Sequence, residues 1–562
     1  MLVSPPSLSA SRPCPHRTIS IALAAALIAL VAACADSSPS PTLEPTDVGP
    51  DALLDADDHG GRDTAADAPP DTDADLSPDA ADDVLPEDAT PDVALDAAPD
   101  AALDVAEDTR PDTSPDVPDH CPDLALTPPS PVGLPSVSGR HEAVTAGRFH
   151  DEYLYNADGF LKIGVRREWG GTIIFFGLDD GQQGMNNTNT IDANDTGREV
   201  QVAFYDPDRS GQGCAWNASC QTGGQVCPVG IRYLGWNPVQ GGNRCNIGSG
   251  VEAVRVQDGV MEVQTLPREW NPDWDAQSCQ PDSCGSAPAN SRPSDVRVWQ
   301  RLRFVRPHVV EVEYQLQNLA ELDHAATLQE LPTMYTANGH GGPDLWRMFD
   351  SSRVEVPIDT AAGGIDGFNY KNFTSPGPWV AFQNGTLDYG VGLYQENSVR
   401  DFQGWQQRAL PFNNVRARFA FGIPARGTVR ARAYLIIGAL GTIEAEATWL
   451  AAHLPPFGTL DNAAVAPDGA VALGGWALDD EAVQRVIGRV DGVERGSLAS
   501  AFPRPDVCLV WPGYPGCNAV GFGGNLPAGA VPDDGCPHAL EVVAIDGRGN
   551  ERVIDRRAVV HP

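Results

Sequence analysis

Several chemistries are missing from this chain of 562 residues. No Gly-x-Ser-x-Gly elbow, phosphate loop, His-Glu-x-x-His pair or Rossmann glycine pattern stands in a suitable context. That excludes the commonest hydrolase, nucleotide-binding and zinc-protease readings. Asn338-Gly339-His340-Gly341-Gly342 matches the HGGG oxyanion element of esterases only in letters, because no nucleophile elbow or helical α/β pattern accompanies it. Cys-x-x-Cys spacing and paired histidines are also missing, so no metal site is expected, and no cofactor. No long stretch carries a helical 3.6 period. Between about Ser37 and Asp119 there is no aromatic residue, and Arg62 and Arg110 are the only strongly basic side chains. Such a stretch of Asp, Ala, Pro and Thr cannot bury enough apolar surface to offset its conformational entropy. It is expected to be a disordered, charge-extended spacer over 34–120.

Most of the chain's net charge of −38 falls in that spacer, so the acidity belongs to it and not to a binding face. The Asp spacing is irregular and lacks the glycine that a tight calcium loop needs. Nucleic acid is not expected to bind so acidic a chain.

Ahead of the spacer, Arg12, His16 and Arg17 precede an apolar run from Ile21 to Ala33. This reads as a signal segment over 1–33; a bilayer-spanning helix needs about 20 apolar residues. Val31-Ala32-Ala33-Cys34 resembles the bacterial lipobox, which implies acylation of Cys34. The alternative is an ordinary signal peptide with an incidental cysteine. Several acyl chains anchor a protein stably where one does so only marginally. Ala35 after the cysteine resembles the outer-membrane pattern, so the expectation is an exported protein, lipid-anchored to the envelope at the outer membrane or cell surface.

Of the 12 cysteines, Cys14 leaves with the signal and Cys34 takes the lipid, and an even number remains. In an exported protein that implies disulfides. Cys214, Cys220, Cys227, Cys245, Cys279 and Cys284 crowd a loop-rich stretch; Cys508, Cys517 and Cys536 lie near the C-terminus, and Cys121 ends the spacer. Only the close pairs Cys279–Cys284 and Cys508–Cys517 are assigned.

The folded part reads as strands. VEAVRVQDGVMEVQTL and DVRVWQRLRFVRPHVVEVEYQLQNL alternate with period two, the first turning at Asp258-Gly259. TIEAEATWLAAHL is expected to be a short helix closing a unit near residue 454. The fold class is all-β: a large antiparallel β-supersandwich over 121–454, then a small Ig-like β-sandwich over 455–562, preceded by the disordered acidic linker. The stretch GWALDD…RVDG…PRPDV…HALEVVAIDGRGN resembles β-sandwich modules at the C-termini of secreted bacterial proteins, which implies an accessory role. Trp476 is expected in the core of its sheet.

In the large unit, Gly-Gly-Thr-Ile, Asn-Asp-x-Gly-Arg-x-x-Gln, Asn-Pro-x-Gln-Gly-Gly and Gln-Glu-x-Pro-x-x-Tyr follow in order. The series resembles the galactose-mutarotase-like supersandwich of sugar epimerases, some polysaccharide lyases and glycosidase accessory domains. A fold-level likeness does not dictate an activity. The residues argue for a sugar independently, since amides, carboxylates and guanidinium suit hydroxyls and an aromatic ring suits the C–H face. Candidate ligand-binding residues are Asp192, Asp195, Arg198, Trp236, Asn237, Tyr335 and Trp270, with Trp274-Asp275, Asn369-Tyr370 and Trp405-Gln406 as similar pairings. Tryptophans in Asn/Pro loops also serve as plugs of satellite cores, and Asp195 with Arg198 also suits a turn-stabilising pair.

For acid/base work, Glu330 and His340 are the candidates, with His324 and Tyr335 in the same segment. On a regular strand Gln329, Leu331 and Thr333 face one way and Glu330 the other, and Pro332 implies that the strand ends there or lies at an edge. The expected function is binding of an extracellular carbohydrate, with epimerase-, lyase- or hydrolase-type processing if the chain is an enzyme. The rival is an adhesion or structural surface protein that binds a protein or cell-wall partner.

Overall fold

A computed structural model describes residues 133–194, 196–205, 238–242, 248–269, 293–358, 368–408 and 412–562. It also describes positions 121, 123, 124 and 126, and the short strand pair Trp274–Asp275 and Gln280–Pro281. Among these residues the chain is almost wholly antiparallel β, as the period-two patterning requires. Asp258 and Gly259 both take positive φ, at 51° and 70°, and join strands Gly250–Gln257 and Val260–Leu266 in a hairpin. Pro307-His308 turns Val296–Arg306 into Val309–Asn318.

Two large sheets enclose the main core. One has 12 strands, and its central path runs Ser138–Ala146, Phe149–Asn156, Leu161–Arg166, Thr172–Leu178, Val200–Ala203, His324–Tyr335, Phe412–Ala417, Asp401–Gln407, Asn369–Thr374. The other has eight, from Arg347–Asp350 through Thr428–Ile437 and Val309–Asn318 to Gly250–Gln257. Val200, Val202, Met334, Phe402 and Val415 of the first sheet share one apolar cluster with Val298, Val312, Leu316 and Leu435 of the second. The helix Leu440–His453 lays Leu440, Ile443, Ala447 and Leu450 on the outside of the second sheet, against Val309, Ala381 and Ile436. That spacing is one helical face.

The strand His324–Tyr335 is the hub of the first sheet. It pairs with Val200–Ala203 on one side and with Phe412–Ala417 and Phe419–Ile423 on the other. Pro332 therefore neither ends its strand nor lies at an edge. The ladder to Val200–Ala203 shifts register between Glu330 and Thr333, and the missing proline N–H falls in that irregularity. The same shift breaks the regular alternation, so Glu330 reaches Arg416, which is directly opposite Thr333. The expectation that Glu330 and Thr333 face opposite ways does not hold.

After the helix, seven antiparallel strands follow one hydrogen-bonded path, Phe457–Val465, Val471–Leu478, Gly521–Leu526, Val493–Phe502, Val483–Val490, Pro537–Asp546, Glu551–Val560, around a core of their own. Cys508 and Cys517 are disulfide-bonded, and Cys121 is bonded to Cys536 across a sequence separation of 415. Cys279 and Cys284 lie outside the described residues. Trp476 is not in the module's core. Leu473 and Ala477 take the inward positions, and Trp476 turns to the other face, half-buried beside Phe457 in the cluster that joins module and sandwich.

That junction is polar at its centre. Arg432 on the second sheet pairs with Glu396 at 2.7 Å, both fully buried, and its guanidinium lies 4.4 Å from the Phe457 ring and 5.6 Å from Trp511. The hydroxyls of Tyr434 and Tyr514 donate to the two Glu396 oxygens at 2.5 and 3.1 Å. Burial pushes the Glu396 carboxyl up to about 7, against the pull of Arg432 and the Tyr434 hydroxyl. A carboxyl whose pKa rises on folding holds its proton more tightly in the folded chain. Its contribution to stability is full below its ordinary value of 4.5 and is lost as pH climbs toward 7.

Two outcomes are expected in urea titrations. Glu396→Gln should flatten the loss of stability between pH 5 and 7.5, taken as the difference from the parent. At pH 8, Arg432→Met should cost about 3–5 kcal/mol by leaving a carboxylate buried alone, and Arg432→Met with Glu396→Leu should cost less.

Candidate functional site

The face of the first sheet turned away from the core is not apolar. In Phe412–Ala417 the sequence FNNVRA alternates, Val415 inward and Asn414 and Arg416 outward; in DFQGWQQ, Phe402 is inward and Gln403 and Trp405 outward. Register then aligns these side chains in rows. Gln201, Thr333, Arg416, Gln403 and Asn372 are successive cross-strand partners, as are Tyr335, Asn414, Trp405 and Tyr370.

The first row is a connected polar chain. Arg416 forms an ion pair with Glu330. The Tyr205 hydroxyl donates to Glu330 Oε1 at 2.9 Å, Arg416 donates to Gln403 Oε1 at 2.7 and 3.0 Å, and Gln403 donates to Asn372 Oδ1 at 2.8 Å. The Gly241 N–H donates to Gln201 Oε1 at 3.0 Å. A Cβ on Gly241 would stand 2.7 Å from Glu199 Oε2 and 2.9 Å from Gln201 Oε1, so a larger residue would have to push those side chains aside.

The second row is aromatic. Tyr370 and Trp405 stack with centroids 4.6 Å apart and planes at 17°, and Tyr335, Phe368 and Phe412 complete the cluster, with the Arg198 guanidinium 5.6 Å from the Phe412 ring. Trp405 is only 2% exposed, whereas Tyr370 is half-buried and Asn372 is exposed. Three buried polar atoms on this face have no hydrogen-bond partner among the described residues: Thr333 Oγ1, Asn414 Oδ1 and Trp405 Nε1. Each such atom costs about 1–3 kcal/mol unless something satisfies it.

Asp192 lies where the hub strand ends. Its N–H donates to the Tyr335 carbonyl at 3.3 Å, and Oδ1 accepts from the Asn194 side chain at 2.6 Å. Burial pushes its carboxyl up to about 6, opposed first by the charge of Arg198 and also by Asn194 and His340. Asp192, Arg198, Tyr335 and His340 thus gather at one end of the strand. His340 is exposed in its glycine loop. Glu330 is elsewhere, buried halfway along the strand and committed to Arg416 and Tyr205. His324 is at the opposite end, 3.0 Å from Asp295. Asp195, Trp236, Asn237 and Trp270 lie outside the described residues, and of Trp274 and Asp275 only the backbone pairing is described. Asn369-Tyr370 and Trp405-Gln406 prove to be partners of each other across one ladder.

Sequence reasoning missed Tyr205, Gln201, Thr333, Asn414, Arg416 and Gln403. The signal was present as polar residues at the outward positions of FNNVRA and DFQGWQQ, of which Asn414 and Gln403 are buried without being apolar.

No protein-family profile matches this chain, and no curated protein does. Among solved structures, a galactose mutarotase-like protein from Clostridium acetobutylicum is similar at 7% identity and a TM-score of 0.29, over 54% of this chain and 99% of that one. A candidate aldose 1-epimerase from Klebsiella pneumoniae is similar at 10% identity and 0.32, over 55% and 86%. The Slr1438 protein from Synechocystis is similar at 8% identity and 0.26, over 56% and 99%. Scores this low carry no argument, and the fold stands on its strand pairings.

Glu330→Gln is expected to destabilise the chain by about 3–5 kcal/mol, because it removes the partner of Arg416. His340→Ala, at an exposed loop position, should change stability by less than about 0.5 kcal/mol. Urea unfolding of the two variants checks both figures.

Proposed function

We propose that the outward face of the first sheet binds a carbohydrate. The observation that carries this reading is the tyrosine–tryptophan stack beside a polar row that reaches the exposed Asn372. A sugar ring supplies hydroxyls that act both ways, and its C–H face suits the exposed side of Tyr370. The arginine–amide row from Arg416 to Asn372 would hold the next hydroxyls.

Proton transfer on the bound sugar is a second reading, favoured by the placement of Asp192. A carboxyl shifted to about 6 beside Arg198 and His340 is matched to near-neutral acid/base work. Glu330, held by Arg416, would act as a positioning residue instead.

Cellular placement completes the proposal. Acylation at Cys34 would tether the chain to the cell envelope, and the acidic segment would hold the sandwich away from the membrane. The C-terminal strands would serve as an Ig-like accessory module.

The decisive experiment follows the thermal midpoint of the protein across a panel of oligosaccharides and polysaccharides. A ligand at 100 times its dissociation constant adds about 2.7 kcal/mol of stability, a shift of several degrees. Tyr370→Ala should weaken that binding about tenfold, or 1.4 kcal/mol. A flat response from folded protein would sink the carbohydrate reading in favour of an adhesion or structural role. Where a glycan is turned over, the rate should rise as pH passes about 6, because a base must lose its proton, and Asp192→Asn should abolish that limb. Metabolic labelling with an alkyne fatty acid should mark the parent and not Cys34→Ala.

A further inference from the structure

The eight-stranded sheet has an outward face as well. Along Val296–Arg306, Val309–Asn318 and Thr428–Ile437 the apolar side chains point into the core, so the alternate positions look out. Register aligns Gln264, Trp299, Gln315 and Arg430 there as successive cross-strand partners. Trp299, Gln315 and Arg430 are each half-buried. The backbone of Trp299 and Gln315 is paired on both sides, so what these two show to solvent is side chain.

The members of the row are held differently. Trp299 Nε1 donates to Gln264 Oε1 at 3.0 Å, and Gln264 donates to Glu252 at 2.5 Å, so the indole is anchored towards the neighbouring strand. The Gln315 amide has no hydrogen-bond partner among the described residues. Other outward arginines of these strands are matched with carboxylates: Arg297 with Glu252 at 2.6 Å, Arg301 with Glu313 at 3.3 Å, Arg303 with Glu311, and Arg432 with Glu396. Arg430 has no ion pair among the described residues, and its guanidinium lies 5.9 Å from the Trp511 ring of the C-terminal module. The row thus runs from an anchored indole, across a free amide, to an uncommitted guanidinium at the junction of the two units, a favoured place for ligands. Trp299 and Arg430 are two strand spacings, about 10 Å, apart.

The three groups call for different parts of one ligand. An indole offers a flat apolar surface, an amide offers a donor and an acceptor, and a guanidinium takes a carboxylate or sulfate. The carboxylates nearest Arg430 along the register, Glu313 and Glu396, are held by Arg301 and Arg432, so its anion has to come from outside. A peptide is poorly served, because Trp299 and Gln315 have no unpaired backbone for strand addition. A neutral sugar would make no use of the guanidinium.

We propose that this row binds an acidic sugar residue of a glycan, with its ring on Trp299, a hydroxyl on Gln315 and its anionic group on Arg430. A uronate and a sulfated sugar share this chemistry. The site is separate from the outward face of the first sheet and does not depend on the reading given to that face.

The test is calorimetric titration of the full chain with tetramers of galacturonate, glucuronate and mannuronate, the methyl esters of each, and a galactose tetramer with and without sulfate. An acidic tetramer should bind saturably, at least tenfold more tightly than its uncharged counterpart. Binding of a uronate alone assigns the anion to a carboxylate, and binding of the sulfated tetramer assigns it to a sulfate. Arg430→Gln should weaken the acidic tetramer at least tenfold and leave the uncharged one unchanged. Trp299→Ala should weaken both; Gln315→Leu should do the same and decides the matter if Trp299→Ala does not fold. Tyr370→Ala, on the first sheet, should leave the acidic tetramer's affinity as it is. No saturable heat with any acidic tetramer, from protein with an intact unfolding transition, overturns the proposal. So does equal affinity for the uncharged counterpart, or unchanged affinity in folded Arg430→Gln. Binding lost in Tyr370→Ala but kept in Arg430→Gln would assign the glycan to the first sheet instead.

Discussion

A buried ion pair, Glu396 with Arg432, sits where the two β units meet, and residues of both units are arranged around it. Charges taken out of water are expensive, and their mutual attraction compensates only when further hydrogen bonds complete the site. Here two tyrosine hydroxyls, one from each unit, close on the carboxylate, and aromatic rings from the module lie against the guanidinium. The module is thus part of the shell that makes a charge tolerable inside the sandwich's second sheet. It is not a bead on a string. Removing it would expose Arg432, Glu396 and Tyr434.

The hub strand does comparable work in the first sheet. Because it is paired on both sides, the outward side chains it carries are fixed relative to neighbours on the three strands it pairs with. The register shift at Pro332 is what brings Glu330 to Arg416 and so starts the polar row. Rigid strands, not loops, hold the proposed sugar face, which favours precise placement of amides and rings. The loop contribution is narrower: Gly241 reaches Gln201, and the Asp192 turn caps the strand's end.

Much of this was legible in the sequence. Period-two runs located the hairpins, and Asp258-Gly259 marked its turn because two adjacent residues at positive φ require such a pair. The helix at Leu440–His453 and the Cys508–Cys517 bridge are local features and were read locally. What could not be read is non-local. Arg416 meets Glu330 across 86 positions in sequence, which only strand order determines. Pro332 misled because the rule against central prolines assumes a regular ladder, and a register shift relaxes it. Asp192 was named, but its raised pKa is a property of burial, which no spacing encodes.

The Cys121–Cys536 bridge has a mechanical meaning. It joins Cys121, ahead of the first strand, to the last unit, so a covalent shortcut bypasses the whole intervening sandwich. A pull arriving along the preceding segment divides at Cys121 between that sulfur pair, which leads to the C-terminal strands, and the chain that leads into the first strand. The bond thus ties the start of the folded chain to the seven-stranded unit.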